Sequence, residues 1–197
     1  AELKALQDKA NALKQRKVLQ LGELVIATGA DALDPETLAG ALLKMLEANG
    51  ITPVFVSGTS AGSVVGALYA SGMDAYAMQE KAFALDESRI RDVSLFSGGV
   101  VKGQKLQDYV NELVGGRTIE KMRKPLAVVA TNLANGERTV FVRGNTGQAV
   151  RASSSIPGVF EAVAIGKAHY VDGGVVSPVP VDAARELGAG FVIAVDI

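Results

Sequence analysis

The sequence contains no cysteine. Disulfides, thiolate metal centres and cysteine nucleophiles are therefore excluded together. A single histidine, His169, is present, which argues against a metal site built from several imidazoles. No run of roughly 18 apolar residues occurs, so no transmembrane helix is expected. The N-terminus carries charged, helix-favouring residues and lacks the apolar stretch of a signal peptide. The formal net charge is −1, so no broad field draws nucleic acid to the molecule. These absences point to a cytoplasmic protein without a nucleic-acid partner, a bound metal or a disulfide. The chain opens on Ala1 without an initiator Met, which reads as a processed or trimmed chain.

What is present is ordinary globular material. Hydrophobic residues make up 48% of the 197 and charged residues 21%, enough for one sizeable core and short for two. Leu3, Leu6, Ala10, Leu13, Val18, Leu21 and Val25 recur mostly every three or four residues, the spacing of an amphipathic helix over residues 1–28. Glu23–Thr28 also fits a short buried strand. Asp34-Pro35-Glu36 is a helix start, and Asn49-Gly50 a stop. Beyond it, short apolar runs alternate with helical patterns. Strands are expected at Pro53–Ser57, Pro125–Ala130, Glu137–Val142, Ala168–Val171 and Phe191–Val195. Helices are expected at Ala61–Ala70, Asp74–Ala84, Gln104–Leu113, Gln148–Ser153 and Val181–Leu187, with a loop at Ser97-Gly98-Gly99. That alternation predicts an α/β fold: a three-layer sandwich with a mainly parallel central sheet, plus the N-terminal helix.

Gly58-Thr59-Ser60-Ala61-Gly62 is G-x-S-x-G between an expected strand and an expected helix. A sharp strand-to-helix turn lifts a serine hydroxyl out of a sheet, and small flanking residues leave it room. The helix N-terminus aims backbone N–H groups, the Ala61 N–H among them, at the Ser60 region. The plainer reading is a Gly-rich turn that packs a helix on a strand. A serine nucleophile needs a group to take its proton. His169 and Asp172 stand close together, but strand alternation sends them to opposite faces. Asp172 is followed by Gly173 and Gly174, where a strand gives way to a loop. With no second histidine, a Ser60–Asp172 dyad is the more economical machine; the plainer reading of Asp172 is a turn former.

Val56–Met73 (VSGTSAGSVVGALYASGM), Leu126–Phe141, Val150–Val163 (VRASSSIPGVFEAV) and Tyr170–Ala189 together resemble the patatin-like phospholipases, especially bacterial members, from about residue 42 to 197. The order G-x-S-x-G, S-I-P-G, D-G-G carries the resemblance. It implies a cofactor-independent Ser–Asp dyad, Ser60 and Asp172, that hydrolyses phospholipid or related lipid esters through an acyl-enzyme. Gly58, Gly62, Gly173 and Gly174 are the motif glycines. The implied partners are a lipid or small acyl-ester substrate and a peripheral membrane contact.

The family carries a Gly-rich loop of the type G-G-G-x-R-G, which forms the oxyanion hole. The matching stretch, Thr28–Pro35, keeps one glycine, Gly29, and no arginine. Gly29 and Ala61 are the oxyanion candidates that remain. The first forty residues do not read like a patatin start and resemble small helical accessory proteins of conjugal DNA transfer. Residues 1–41 are therefore expected as an atypical, fused or grafted helical segment, and 42–197 as the hydrolase core, within one compact body. An alternative follows: a catalytically impaired patatin scaffold whose N-terminal helix serves self-association, as a homo-oligomer, or partner binding. The basic run Arg117–Lys124 and Lys102 and Lys105 read as solvated faces, or as contacts for anionic headgroups. Asn132 and Asn135 read as turn formers. None of Ser153, Ser154 and Ser155 is singled out as a nucleophile.

Overall fold

A computed structural model describes residues 35–83 and 101–196, together with Lys4. Apart from Lys4, the expected 1–28 helix lies outside the described residues, as do the Glu23–Thr28 strand, Gly29 and the Ser97–Gly99 loop. In chain order the elements are α1 (Pro35–Ala48), β1 (Val56–Thr59), α2 (Ala61–Ala70), α3 (Ala75–Phe83) and α4 (Gln104–Leu113). They continue with β2 (Leu126–Asn132), β3 (Arg138–Phe141), α5 (Thr146–Ser153), β4 (Val163–Ile165), β5 (Ala168–Asp172) and α6 (Val181–Glu186). Short 3-10 turns occupy Ile119–Lys121 and Gly173–Val175.

β2 is the centre of the sheet. All six residues from Leu126 to Thr131 are buried, and they alternate between two layers as a strand must. Leu126 and Val128 face a core with Val65, Leu68 and Tyr69 of α2, Val110 of α4 and Val150 of α5. Ala130 continues that face against Ala152 and Val163. Ala127 and Val129 face the other way, toward Ala183 of α6. Helices thus cover both faces, and the three-layer α/β sandwich holds. Gly66 lets α2 lie close to the sheet: a Cβ there would stand 3.0 Å from Val56 Cγ1.

The sheet is more mixed than expected. Among the described strands β1 pairs with β2 in parallel, while β2–β3, β2–β5 and β4–β5 are antiparallel. For β2–β3 and β4–β5 the reason is local: short turns, not crossover helices, join these strands, and short turns return a chain antiparallel. β4 escaped the sequence reading because three residues carry too little periodicity. β1 starts at Val56 rather than Pro53, since proline lacks the ladder donor, Val54 is exposed, and pairing begins where the Val56 N–H reaches Pro125 O at 3.0 Å. Phe191–Val195 is not a strand. An apolar run forms one only where a neighbour supplies a ladder, and no described strand pairs with it. α5 begins two residues early because Asn145 caps it, its side chain accepting the Gln148 N–H at 2.7 Å. The remaining helices lie within a residue of expectation at each described end.

α1 is tied into this body. Tyr69 OH donates to Glu47 Oε1 at 2.8 Å and accepts from Lys124 Nζ at 2.6 Å, and Tyr69 is 2% exposed. Residues 41 and 42, the expected segment boundary, both lie within α1. Burial, and then the Glu47 carboxylate, push the Tyr69 hydroxyl well above its ordinary value of 10.0. The folded state therefore holds this proton more tightly than the unfolded chain, so its contribution is intact below about pH 10 and is lost as pH rises beyond it. Burial lowers the Lys124 ammonium, an effect of opposite sign. Urea midpoints measured from pH 8 to 11 are expected to fall more steeply above about pH 10 for the wild type than for Tyr69→Phe. Parallel profiles would remove this role from Tyr69.

Candidate active site

β2 has two edges, and their occupation builds the site. β3 lines one edge along Val128–Thr131. The other edge is shared end to end: β1 covers Leu126–Val129 and β5 covers Ala130–Asn132. β1 runs parallel to β2 and ends with Thr59 opposite Val129. β5 runs the opposite way and ends with Asp172 opposite Ala130. The two strands stop head to head, one rung apart, so Ser60 and Asp172 are brought together across 112 residues of chain.

Ser60 leaves the edge at φ 52, ψ −125 and opens α2. It is the one non-glycine residue with positive φ among those described. That strain costs about 1–3 kcal/mol and persists only where neighbours over-determine it. Ser60 Oγ donates to Asp172 Oδ2 at 2.7 Å. Ser60 O accepts from Ser63 N at 2.8 Å and Ser63 Oγ at 2.6 Å. Ser60 N donates to Ser153 Oγ at 2.9 Å. Ser60, Ala61 and Gly62 are half-buried, whereas Ser63 and Ser153 are fully enclosed.

Asp172 is 6% exposed, and each of its polar groups has a partner. Oδ1 accepts the Gly174 N–H at 2.7 Å. Its N–H donates to Ser155 O at 2.8 Å, and its carbonyl accepts Thr131 Oγ1 at 2.8 Å. Oδ2 is thus left to face Ser60 from a fixed carboxylate plane. The following loop is pinned to β1, where Thr59 Oγ1 donates to Ser177 O at 2.8 Å and Ser57 Oγ to Pro180 O at 3.1 Å.

The motif glycines divide by function. A Cβ at Gly58 would overlap the Gly62 carbonyl, and one at Gly173 would overlap the Val129 carbonyl. At Gly174 it would meet Asp172 Oδ1 at 3.0 Å. Gly62 differs from expectation: its Cβ position meets nothing within 4 Å among the described residues. The turn folds back on Gly58 through the Gly62 backbone, so only the first of the two glycines is squeezed. His169 is exposed on β5, opposite Ala164, away from the Asp172 contact.

The family model described as Patatin-like phospholipase matches residues 37–185. The chain belongs to the patatin-like phospholipase family. A second model, Conjugal transfer protein TraD, matches residues 8–52 and overlaps the first on 37–52. An uncharacterized NTE family protein of Mycobacterium tuberculosis is 32% identical over 158 residues, covering 79% of this chain and 44% of that protein. Patatin-like phospholipase domain-containing protein 6 of Mus musculus is 29% identical over 164 residues, 79% of this chain and 12% of that one. The chain spans less than half the length of these relatives. Among solved structures, VipD from Legionella pneumophila matches with a TM-score of 0.57 at 16% identity, over 71% of this chain and 44% of that one. At that identity the likeness shows the fold.

The remaining candidates of the patatin-like chain sort by position. The basic run Arg117–Lys124 precedes β2, whereas Ser60 follows the far end of the parallel strand β1. The two lie at opposite ends of the sheet, so the run does not touch Ser60 or Asp172. Lys124 serves Tyr69, while Lys102, just before α4, and Lys105, in its first turn, are exposed. Asn132 and Asn135 are turn formers, accepting the N–H groups of Ala134 and Glu137. No helix among the described residues is long and apolar enough to cross a membrane. The sequence reading gave no role to Ser63, Thr59, Thr131 or Ser153. Ser63 bonds back to Ser60 O within the same turn, whereas Thr59, Thr131 and Ser153 meet backbone groups 24 to 118 positions away, for which the sequence carries no signal.

The glycine geometry yields a contrast. Gly173→Ala is expected to destabilise the fold by about 1–3 kcal/mol in urea titration, because the Val129 carbonyl it strikes belongs to the central strand. Gly62→Ala is expected to change stability by less than about 0.5 kcal/mol. Equal losses would show that Gly62 is squeezed after all.

Proposed function

We propose that the chain is a serine acyl hydrolase that cleaves phospholipid or related lipid esters through a Ser60–Asp172 dyad. The observation that carries the reading is the 2.7 Å bond from Ser60 Oγ to a buried carboxylate oxygen, with Ser60 in the strained backbone of a nucleophile elbow. Family membership supports a lipid ester as the substrate class.

In the proposed reaction Asp172 Oδ2 takes the Ser60 proton as Oγ bonds to the ester carbonyl carbon. The ester C–O bond then breaks, and the alcohol leaves with the proton returned from Asp172. An acyl ester on Ser60 remains. Asp172 next takes a proton from water, whose oxygen attacks the acyl carbon. The free acid departs, and the Ser60 hydroxyl is restored. Ala61 and Gly29 are the proposed oxyanion donors, and Gly58, Gly62, Gly173 and Gly174 shape the two turns. The reading needs no cofactor. Contact with the membrane is proposed as peripheral and transient.

A second reading, an impaired scaffold that binds or self-associates through its N-terminal segment, is favoured by one feature: Thr28–Pro35 holds a single glycine and no arginine. Loss of one oxyanion donor costs about 10²–10³ in rate. A fluorophosphonate probe separates the two. The wild type is expected to label at Ser60, Ser60→Ala to lose all labelling, and Asp172→Asn to label about 10²–10⁴-fold more slowly. A folded wild-type chain that does not react would sink the hydrolase reading in favour of the second.

A further inference from the structure

The elbow contains a broken rung. In the parallel ladder between β1 and β2, the Val56 N–H donates to Pro125 O at 3.0 Å. Residues two apart along a strand point their N–H groups to the same edge. With Thr59 opposite Val129, the next rung but one after Gly58 would join the Ser60 N–H to Val129 O. That bond is not made. Ser60 has turned out of the strand toward α2, and its N–H donates to Ser153 Oγ at 2.9 Å. Ser153 Oγ in turn donates to Val129 O at 2.5 Å. One hydroxyl, which both accepts and donates, fills the gap between the two groups that the turn has separated.

We propose that Ser153 is a positioning residue for the nucleophile, its hydroxyl standing in for the missing rung between the Ser60 N–H and the Val129 carbonyl. The inference rests on the Ser60–Asp172 reading and deepens it. Ser153 is 0% exposed at the end of α5, so no water replaces it without a cavity. Its two neighbours do something else. Ser155 Oγ donates to Arg151 O at 2.8 Å, and Ser154 Oγ is buried without a partner among the described residues. The same Val129 carbonyl is the wall against which Gly173 packs. Ser153 therefore fixes Ser60 to the atom that also limits where the Asp172 turn can lie. Both arms of the dyad are referenced to one carbonyl. A second consequence concerns the oxyanion. The Ser60 N–H is committed to Ser153, so an oxyanion must draw its donors from other N–H groups.

Ser153→Ala leaves a buried donor and a buried acceptor unpaired at the elbow. Two readouts test it, with Ser154→Ala as the neighbouring control. The first is the kinetics of fluorophosphonate labelling. Ser153→Ala is expected to lower the maximal labelling rate about tenfold or more while the probe's apparent affinity changes less than about twofold. Ser154→Ala is expected to stay within about twofold on both. The second is amide hydrogen exchange of the peptide covering residues 56–63 under native conditions, which needs no activity. Exchange at Ser60 is expected to quicken about tenfold in Ser153→Ala and not in Ser154→Ala.

Wild-type labelling in Ser153→Ala, in a protein that Ser60→Ala silences, would overturn the proposal and leave the dyad standing. A wild type that never labels would overturn the dyad instead. The exchange measurement then decides for Ser153, and an unchanged elbow would reject its role. If Ser153→Ala does not fold, Ser153→Cys takes its place, keeping a weaker donor and acceptor at the same point. It must show slower labelling and faster Ser60 exchange, or the proposal fails.

Discussion

The arrangement depends on two strands sharing one edge of a third. β1 rises along β2 and stops at Val129, while β5 descends along the same edge and stops at Ala130. Neither can continue, because each occupies the positions the other would need. Their ends must turn out of the sheet, and the residues at those turns are Ser60 and Asp172. The short reach between hydroxyl and carboxylate is thus set by backbone pairing, with side-chain rotamers making only the last adjustment. β3 reinforces this by filling the opposite edge across the junction, from Val128 to Thr131.

A strained residue survives only if its surroundings hold it. At Ser60 the hold is distributed over three elements. Ser63 fixes its carbonyl from within α2, Ser153 fixes its N–H from α5, and Asp172 takes its hydroxyl from β5. Packing adds a further constraint, since Gly58, Gly66 and Gly173 let backbones approach where a methyl group would not fit without displacement. The core on the α2 face supplies the apolar burial that offsets the strain, and Tyr69 ties α1 to the far end of the same helix. The elbow is therefore stabilised from one end of α2 and the lateral packing of α1 from the other.

Much of this was legible from residue patterns. The alternation of short apolar runs with small-residue helices gave the α/β class, and α2 and α4 fall on their expected spans. G-x-S-x-G between a strand and a helix pointed to Ser60, and D-G-G at a strand end to Asp172. Strand parity separated His169 from Asp172 correctly. Three things were not legible. Strand direction was misjudged because apolar runs look alike in parallel and antiparallel ladders. Phe191–Val195 looked like a strand because burial potential does not reveal whether a partner exists. Among Ser153, Ser154 and Ser155 the composition is identical, and only the twist of α5 against the elbow distinguishes them.

The division has a physical cause. Local sequence determined what each segment prefers to be: the helical periods, the caps at Asn49-Gly50 and Asn145, the glycines that a tight turn demands, and the hydroxyl and carboxylate that stand at the two strand ends. Those preferences act over a few residues and are written in adjacent side chains. Tertiary structure decided which strand ends meet, which glycine is crowded, and which of three serines reaches the Ser60 N–H. The first and last of these depend on contacts between residues about a hundred positions apart, where a one-residue change of register exchanges every partner.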